Sequence, residues 1–232
     1  MPTGDAAGRE DRRTSARTPG TPMVSPEGTP FFVATGFACL DVLYTGGEGE
    51  RTDWEKLFAP ADLARWISAC SLVTDEVTPA DVRVGDVDLD AVRELREAIW
   101  RGANDLVDGA QLPAGVEACL NRFAAGPTVV PRLVGGGRAT STPVDAAAVL
   151  SALARDAIEL FTGPQVGRLR RCDADDCNLL FVDTSRPGRR RWCAMARCGN
   201  RAKVRAHRAS TSGRANPTPD PAPDSEPEER DR

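Results

Sequence analysis

Histidine, lysine and aromatic residues are scarce in this sequence. There is one histidine, His207, and aromatic residues make up 5% of the chain. Because histidine is the side chain used most often as a general acid or base, the chain has a single candidate for that chemistry. The sequence also lacks a G-x-S-x-G motif and a metal-binding histidine pair, and its glycine run at 135–137 lacks the Lys-Ser/Thr of a phosphate-binding loop. We therefore expect a protein that is not an enzyme.

Long apolar runs are also missing. No stretch approaches the roughly 18 apolar residues that predict a transmembrane helix, and the first residues carry charges without the apolar segment of a secretory signal. These absences predict a protein with no membrane partner and a cytoplasmic location.

Charge is distributed unevenly along the chain. Residues 166–210 contain 12 Lys and Arg against 4 Asp and Glu, whereas residues 29–165 contain 11 against 20. Such asymmetry predicts a module that binds a polyanion, joined to an acidic body.

Composition divides the chain into four parts. Residues 1–28 and 211–232 are rich in Gly, Pro, Ser, Thr and charge and show no hydrophobic periodicity. We predict that both are disordered tails, the second one acidic and proline-rich. Between them, residues 29–163 are predicted to form a mainly helical domain, and residues 164–210 a small cysteine-containing domain.

Apolar residues at helical spacing predict four helices in the first domain. They are marked by Leu63 to Cys70, Leu89 to Val107, Val116 to Phe123 and Leu150 to Phe161. The last helix is expected to begin at Thr142-Pro143, with a threonine cap followed by a proline. Residues 31–45 predict a short strand leading into a helix. Residues 128–141 predict a hairpin whose first strand, because it contains Pro131, lies at a sheet edge.

Four cysteines have the spacing of a zinc site. Cys172, Cys177, Cys193 and Cys198 form the pattern C-x4-C-x15-C-x4-C. Two close pairs separated by a loop are typical of four thiolates that bind one zinc ion. Free or disulfide-linked cysteines are the alternative, although disulfides are disfavoured where no secretory signal is found. Because four cysteine ligands leave no open coordination position, we predict one structural Zn2+.

The segment between the two cysteine pairs is predicted to be a hairpin. Its strands would be LLFVDT and RRRWC, joined by a turn at Ser185–Gly188. On a continuous helix Cys193 and Cys198 would point about 140° apart. We therefore place Cys193 at the end of the second strand and begin the main helix near Cys198, which gives a treble-clef-like order of elements.

Basic residues surround the second cysteine pair. Guanidinium groups suit phosphates and guanine edges, and asparagine suits adenine, so these residues predict an interface for double-stranded DNA. The predicted DNA-binding residues are Arg189, Arg190, Arg191, Arg197, Asn200, Arg201, Lys203, Arg205 and Arg208. A solvated helix face is one alternative. Another is an adaptor whose finger binds an acidic protein partner.

Polar and aromatic residues near the apolar helix faces of the first domain are candidates for binding a small-molecule effector. They are Asp41, Tyr44, Thr45, Trp66, Arg96 and Trp100. The two tryptophans lie at helical spacing, so a core position is their alternative role. Pairing as a homodimer is a further expectation, although the sequence shows no dimer seam.

The segment Arg171–Arg208 resembles the CGNR zinc finger, named for the tetrapeptide that begins at Cys198 and preceded here by C-N-L-L-F-V-D-T-S and R-R-W-C. The upstream region resembles the ABATE domain through Gly36, Leu40-Asp41, Thr45 and the Leu95-Arg96 helix. This resemblance implies an α+β protein with a mainly helical N-terminal domain, followed by a small treble-clef-like zinc finger with four cysteine ligands. It also implies a DNA-binding transcription regulator of the stress response, in which the N-terminal domain senses a ligand or mediates association. Such a regulator would be associated with the nucleoid.

Overall fold

The computed structural model describes residues 20–24, 28–175 and 177–212, without the side chains of residues 209, 211 and 212. This part of the chain folds into six α-helices and eight short strands, with 3-10 turns between them. The helices are α1 Ala38–Asp41, α2 Pro60–Ala69, α3 Asp86–Val107, α4 Ala114–Ala124, α5 Ala146–Thr162 and α6 Asn200–Ser212. The strands are β1 Thr21–Val24, β2 Pro30–Val33, β3 Val82–Arg83, β4 Pro131–Val134, β5 Gly137–Thr140, β6 Val144–Asp145, β7 Leu169–Arg171 and β8 Leu180–Val182.

Three helices form the centre of the N-terminal domain. α3, α4 and α5 pack against one another, and α1 packs against α5. Apolar side chains spaced three or four residues apart meet between the helices. Leu95 and Ile99 of α3 and Leu153 of α5 are completely buried there. α2, α3, α4 and α5 confirm the four predicted helices, and the fold is a mixed α+β architecture.

Local predictions for this domain are confirmed except at one helix start. β2 leads into α1, and β4 and β5 form the predicted hairpin, with Pro131 at the first position of its first strand. α5, however, begins at Ala146 and not at Thr142-Pro143, a peptide bond that is cis. The prediction was wrong because Val144 and Asp145 pair in parallel with β3, which keeps the chain extended until Asp145.

The prediction of a disordered N-terminal tail is wrong for residues 21–24. They form β1, which pairs antiparallel with β2 so that Thr21 lies opposite Val33. The Gly20 amide just before β1 donates to the buried carboxylate of Asp41 at 2.9 Å. A long-range contact of this kind orders the strand, and local composition could not show it. Residues 1–19 and 25–27 of the predicted tail lie outside the described residues.

The predicted C-terminal tail falls mostly outside the described residues. Its first two residues, 211 and 212, are the end of α6, and residues 213–232 are not described.

The hairpin predicted between the two cysteine pairs is wrong. β8 pairs with β7, so that Val182 lies opposite Leu169, and the arginines at 189–191 are not in a strand. β8 is completely buried, a position that suits its apolar residues and not the arginine run. The predicted turn is present: the Gly188 amide donates to the Ser185 carbonyl at 3.1 Å. Gly188 has a φ of 61°, which glycine adopts without strain.

Buried hydrogen bonds join the zinc-finger region to the N-terminal domain. The Val182 amide donates to the Thr35 carbonyl at 2.7 Å, and the Tyr44 hydroxyl donates to the Leu180 carbonyl at 2.9 Å. Phe181, between these two contacts, is completely buried in a core that both regions share. The two regions therefore pack as parts of one structure.

No helix in the described part of the chain is both long enough and apolar enough to span a membrane.

The unfolding free energy is expected to fall as the pH rises from about 5.5 to 7.5, because the pKa of Asp41 is raised in the folded protein. Burial raises this pKa to about 7, although hydrogen bonds from Thr35 and Gly20 act to lower it. An unfolded aspartate titrates near 3.9. Between the two pKa values only the folded state keeps its proton, so each unit of rising pH destabilises it by up to about 1.4 kcal/mol.

The variant Asp41→Asn lacks this titration and tests the prediction. Over the same interval the wild type should lose roughly 2 kcal/mol of unfolding free energy relative to the variant. Urea unfolding of both proteins at fixed zinc concentration measures the difference. A difference that does not change with pH would contradict the raised pKa.

Candidate metal centre and nucleic-acid interface

The four predicted zinc ligands meet at one point. The sulfur atoms of Cys172, Cys177, Cys193 and Cys198 all lie within 4.8 Å of one another, and all four residues are buried. The Cys193 sulfur is 3.7 Å from that of Cys177 and 3.7 Å from that of Cys198. A disulfide requires about 2.05 Å, whereas four sulfurs at about 2.3 Å from a central zinc are separated by about 3.8 Å. The spacing therefore fits a tetrahedral zinc ion.

Two different turns bring the cysteines together. In the first pair, the Cys177 amide donates to the Ala174 carbonyl at 2.9 Å and closes a tight turn. In the second pair, Cys193 precedes a π-helical turn, Met195–Gly199. The amides of Cys198 and Gly199 both donate to the Ala194 carbonyl, at 3.0 and 3.3 Å. This wider turn returns the chain to Cys193 after five residues and confirms that Cys193 lies off the helix.

Gly199 allows close packing in the second turn. A β-carbon at this position would lie 2.3 Å from the Met195 sulfur and 3.1 Å from Cδ1 of Trp192. A larger residue would therefore have to displace side chains beside Cys198.

The charge of the cluster also fits a cation. Hydrogen bonds from the neighbouring thiols lower the pKa of Cys172 to about 7 and lower that of Cys198, while the same neighbours raise the pKa of Cys193. Four thiols this close cannot all ionise unless a cation compensates their charge. Two hydrogen-bond donors stabilise negative charge on the sulfurs. The Cys193 amide lies 3.4 Å from the Cys172 sulfur, and the Arg201 guanidinium lies 3.7 Å from the Cys198 sulfur.

Arg190, which the sequence predicted as a DNA contact, forms a clamp toward the interior of the protein. Its guanidinium donates to the carbonyls of Ala34 and Trp192, both at 2.9 Å, and to that of Cys193. It also lies 4.3 Å from the ring centroid of Phe181. Three carbonyls converge behind the zinc cluster, and the fork of a guanidinium can satisfy them together. A run of three arginines gave no sign of which one faces inward.

Asp183 fixes the chain that leads to Arg190. Burial acts to raise the pKa of Asp183. Three hydrogen bonds outweigh this effect and hold the pKa below its ordinary value: they come from the Ser185 hydroxyl, the Ser185 amide and the Arg190 amide. Sequence reasoning missed Asp183. The signal that could have identified it is an acid after a buried strand and before a turn, where it can accept bonds from the turn's amides.

The other predicted DNA contacts lie toward the outside. Arg189 and Arg191 are exposed, and Arg191 forms an ion pair of 2.7 Å with Asp173. Lys203 is exposed on α6, and Asn200 is exposed at its start. Four arginines follow one face of this helix and the turn before it, and we call them the arginine stripe: Arg197, Arg201, Arg205 and Arg208.

The arginine stripe faces a segment that the sequence did not connect with it. Phe31, at the start of β2, lies with its ring centroid 5.5 Å from the guanidinium carbon of Arg197. Pro30 and Val204 line the same groove. No motif marks Phe31, because its proximity depends on how the finger packs against the N-terminal domain.

The six residues predicted to bind an effector do not form one site. Asp41 and Tyr44 are buried and bonded to Thr35 and Leu180, and Trp66 packs against the core. All three residues therefore have partners within the protein. Their role in binding an effector stays a prediction.

Two of the remaining three predicted effector residues line open cavities. Arg96 lines one of about 500 Å³, and Trp100 lines another of about 400 Å³. Arg96 is itself buried in an ion pair of 2.7 Å with Glu55, and it donates to Thr45 at 3.1 Å. Arg51 covers the ring of Trp100, 4.1 Å from its centroid.

Comparison with protein families identifies both regions. The ABATE family model, described as "Putative stress-induced transcription regulator", matches residues 36–164, more than half of the chain. The chain belongs to the ABATE family. The CGNR zinc-finger model matches residues 168–210 of this ABATE protein, and they contain all four clustered cysteines. A search of curated proteins found no match.

The ABATE protein thus carries a CGNR finger with one structural zinc ion. All four ligands are cysteines, so the ion has no open position for a substrate and serves to hold the turns together.

Loss of zinc is expected to unfold the finger. The variant Cys193→Ser removes one of the four sulfur ligands, and structural zinc contributes roughly 10–16 kcal/mol in finger peptides. We expect one zinc per chain in the wild type and substoichiometric zinc in Cys193→Ser, measured by elemental analysis together with thermal unfolding. Cys119→Ser, a thiol outside the cluster, is the control. Full zinc occupancy in Cys193→Ser would contradict this ligand set.

Arg190 should contribute far more to stability than its neighbour. Arg190→Gln leaves carbonyl groups behind the zinc cluster without donors, so we expect a loss of about 2–4 kcal/mol in unfolding free energy. Arg189→Gln makes the same substitution at an exposed residue. We expect it to lower the unfolding free energy by less than about 0.5 kcal/mol. Urea unfolding of the zinc-loaded proteins compares them. Equal losses would refute the internal role of Arg190.

Proposed function

We propose that the zinc finger of this ABATE protein binds double-stranded DNA. In this proposal the N-terminal domain controls binding, either by sensing a small-molecule effector or by association between copies of the chain. The proposal includes no catalytic role, and it places the protein in the cytoplasm, associated with the nucleoid.

The charge of α6 carries the proposal. Residues 197–212 contain no Asp or Glu, and the arginine stripe together with Lys203 supplies five cationic residues on this segment. Arg205, Arg208 and Lys203 are exposed. Asp175, from the first cysteine turn, approaches the stripe at 3.7 Å from Arg205. A row of guanidinium groups on a segment without acids favours a polyanion, because each phosphate contacted releases a condensed counterion.

The surroundings of α6 support a role in base recognition. The zinc cluster lies at the N-terminal end of the helix, and Asn200 is exposed there. In recognition helices the N-terminal residues contact the base edges, while flanking cations contact phosphates. The Arg190 clamp holds this end of the helix against the N-terminal domain, so the orientation of the helix depends on that domain.

Contacts between a cavity and the finger support effector sensing. Arg96 lines the cavity of about 500 Å³ and donates to Thr45. The adjacent residue, Tyr44, donates to the Leu180 carbonyl of β8. An effector that displaced Arg96 would therefore disturb Thr45, the residue next to the one that bonds β8 of the finger.

Association between copies is supported by the β4–β5 hairpin. Leu133 is 82% exposed and Val134 is 54% exposed, and Val130 before the hairpin is also exposed. An exposed apolar cluster of this kind is typical of an interaction surface.

An adaptor that binds an acidic protein is the second candidate. Val204 on α6 and Met195 in the π-helical turn are 49% and 50% exposed. Apolar side chains beside cations suit a protein partner as well as a duplex, and the salt dependence of binding distinguishes the two.

The test is fluorescence anisotropy of the full zinc-loaded chain on duplex DNA across a salt series. The logarithm of affinity should fall with the logarithm of salt concentration by about 0.9 per phosphate contacted. The double variant Arg205→Gln/Arg208→Gln should weaken binding and reduce this slope by up to about 2.

The matched control is Arg132→Gln/Arg138→Gln, which removes the same charge from exposed positions on the β4–β5 hairpin. It should bind like the wild type. No binding at low salt by the folded protein would eliminate the DNA proposal and favour the adaptor. Equal weakening by both double variants would assign the binding to net charge and not to α6.

A further inference from the structure

A groove separates the finger from the first strands of the N-terminal domain. One wall is the arginine stripe with Ala196, Asn200 and Val204, and the other wall is Thr29, Pro30 and Phe31. Its volume of about 440 Å³ lies in the range of small-molecule sites. The groove belongs to neither region alone, because Phe31 precedes the ABATE match and the stripe lies in the CGNR match.

The two walls differ in chemistry. Pro30 and Phe31 present apolar surface to the groove, and Val204 and Ala196 continue that surface across to α6. The cations lie along the helix. A ligand that matches both walls has an apolar, preferably aromatic, body and a single anionic group. A bare phosphate would match only the cationic wall, and a neutral aromatic molecule only the apolar one.

Arg197 shows where the anionic group would bind. Its guanidinium lies over the Phe31 ring, within the distance of a cation–π contact. Its Nε atom is buried and has no hydrogen-bond partner among the described residues. A buried guanidinium donor without an acceptor is costly, and a carboxylate entering the groove beside Phe31 would supply acceptors.

We propose that this groove is an effector site for an aromatic carboxylate. The carboxylate binds Arg197 and the neighbouring arginines of the stripe, and the aromatic body packs between Phe31 and Val204. A ligand in this groove would contact the arginines that the proposed function assigns to DNA, so it would compete with DNA. This competition rests on the proposed function, whereas the site itself does not.

Isothermal titration calorimetry of the full zinc-loaded chain with naphthalene-2-carboxylate tests the site without DNA. The uncharged naphthalene-2-carboxamide is the matched ligand control. We expect saturable binding of the carboxylate and binding of the carboxamide weaker by about ten-fold or more, because the charge-assisted bonds are lost.

Two pairs of variants locate the binding. Val204→Asp adds an opposing charge at an exposed position of the groove and should abolish binding, whereas Val134→Asp, an equally exposed valine on β4, should leave it unchanged. Arg197→Gln should weaken binding by about ten-fold, with Arg132→Gln as its control. Equal affinity for carboxylate and carboxamide, or unchanged affinity in Val204→Asp, would overturn the site.

Three further outcomes separate the alternatives. A chain ending at Ser212 that binds the carboxylate much more tightly than the full chain would assign the groove to the acidic segment 213–232 and overturn the proposal. In the DNA assay, the carboxylate should weaken duplex binding by the wild type and not by Val204→Asp. Calorimetric binding without any DNA binding would support the site while refuting the proposed function, so the two failures are distinguishable.

Discussion

The convergence of four thiolates on one cation is the constraint on which the rest of the finger depends. The cysteines come from two turns that pair with no common strand, since β8 pairs with β7 and the arginine run lies outside any sheet. Hydrogen bonds within each turn fix its local shape. Between the turns, the Asp173 amide donates to the Arg191 carbonyl at 2.9 Å, and the shared ion fixes the four sulfurs against one another. Because α6 follows the π-helical turn directly, the direction of the arginine stripe is set by the same ion.

Arg190 extends this constraint to the N-terminal domain. One guanidinium contacts the Cys193 carbonyl on the finger and the Ala34 carbonyl before α1. Two further hydrogen bonds reinforce the same junction. The Val182 amide donates to the Thr35 carbonyl, and the Tyr44 hydroxyl donates to the Leu180 carbonyl. The positions of the helix and of Phe31 are therefore correlated, and a groove whose walls come from two regions keeps a defined width.

Periodicity and spacing allowed the helices and the zinc ligands to be predicted, because both signals are local. The helix α3 needs only its own apolar face, and the cysteine pairs need only their spacing. The predictions that were wrong depended on long-range contacts. Strand β1 is ordered by Asp41, and the start of α5 is delayed by pairing with β3. The inward direction of Arg190 likewise depends on its contact with the distant Ala34 carbonyl. Such partners are distant in sequence, so no local pattern distinguishes these residues.

The shared core has a consequence for dissecting the protein. Family boundaries separate the regions between residues 164 and 168, yet Leu169, Leu180 and Phe181 are buried in the core common to both. A fragment excised at that boundary would expose these side chains on the finger and the groups around Tyr44 and Thr35 on the other piece. The boundary between the two family matches is thus not a place where the protein can be cut, and the unit that must be produced and handled intact is the whole of both regions.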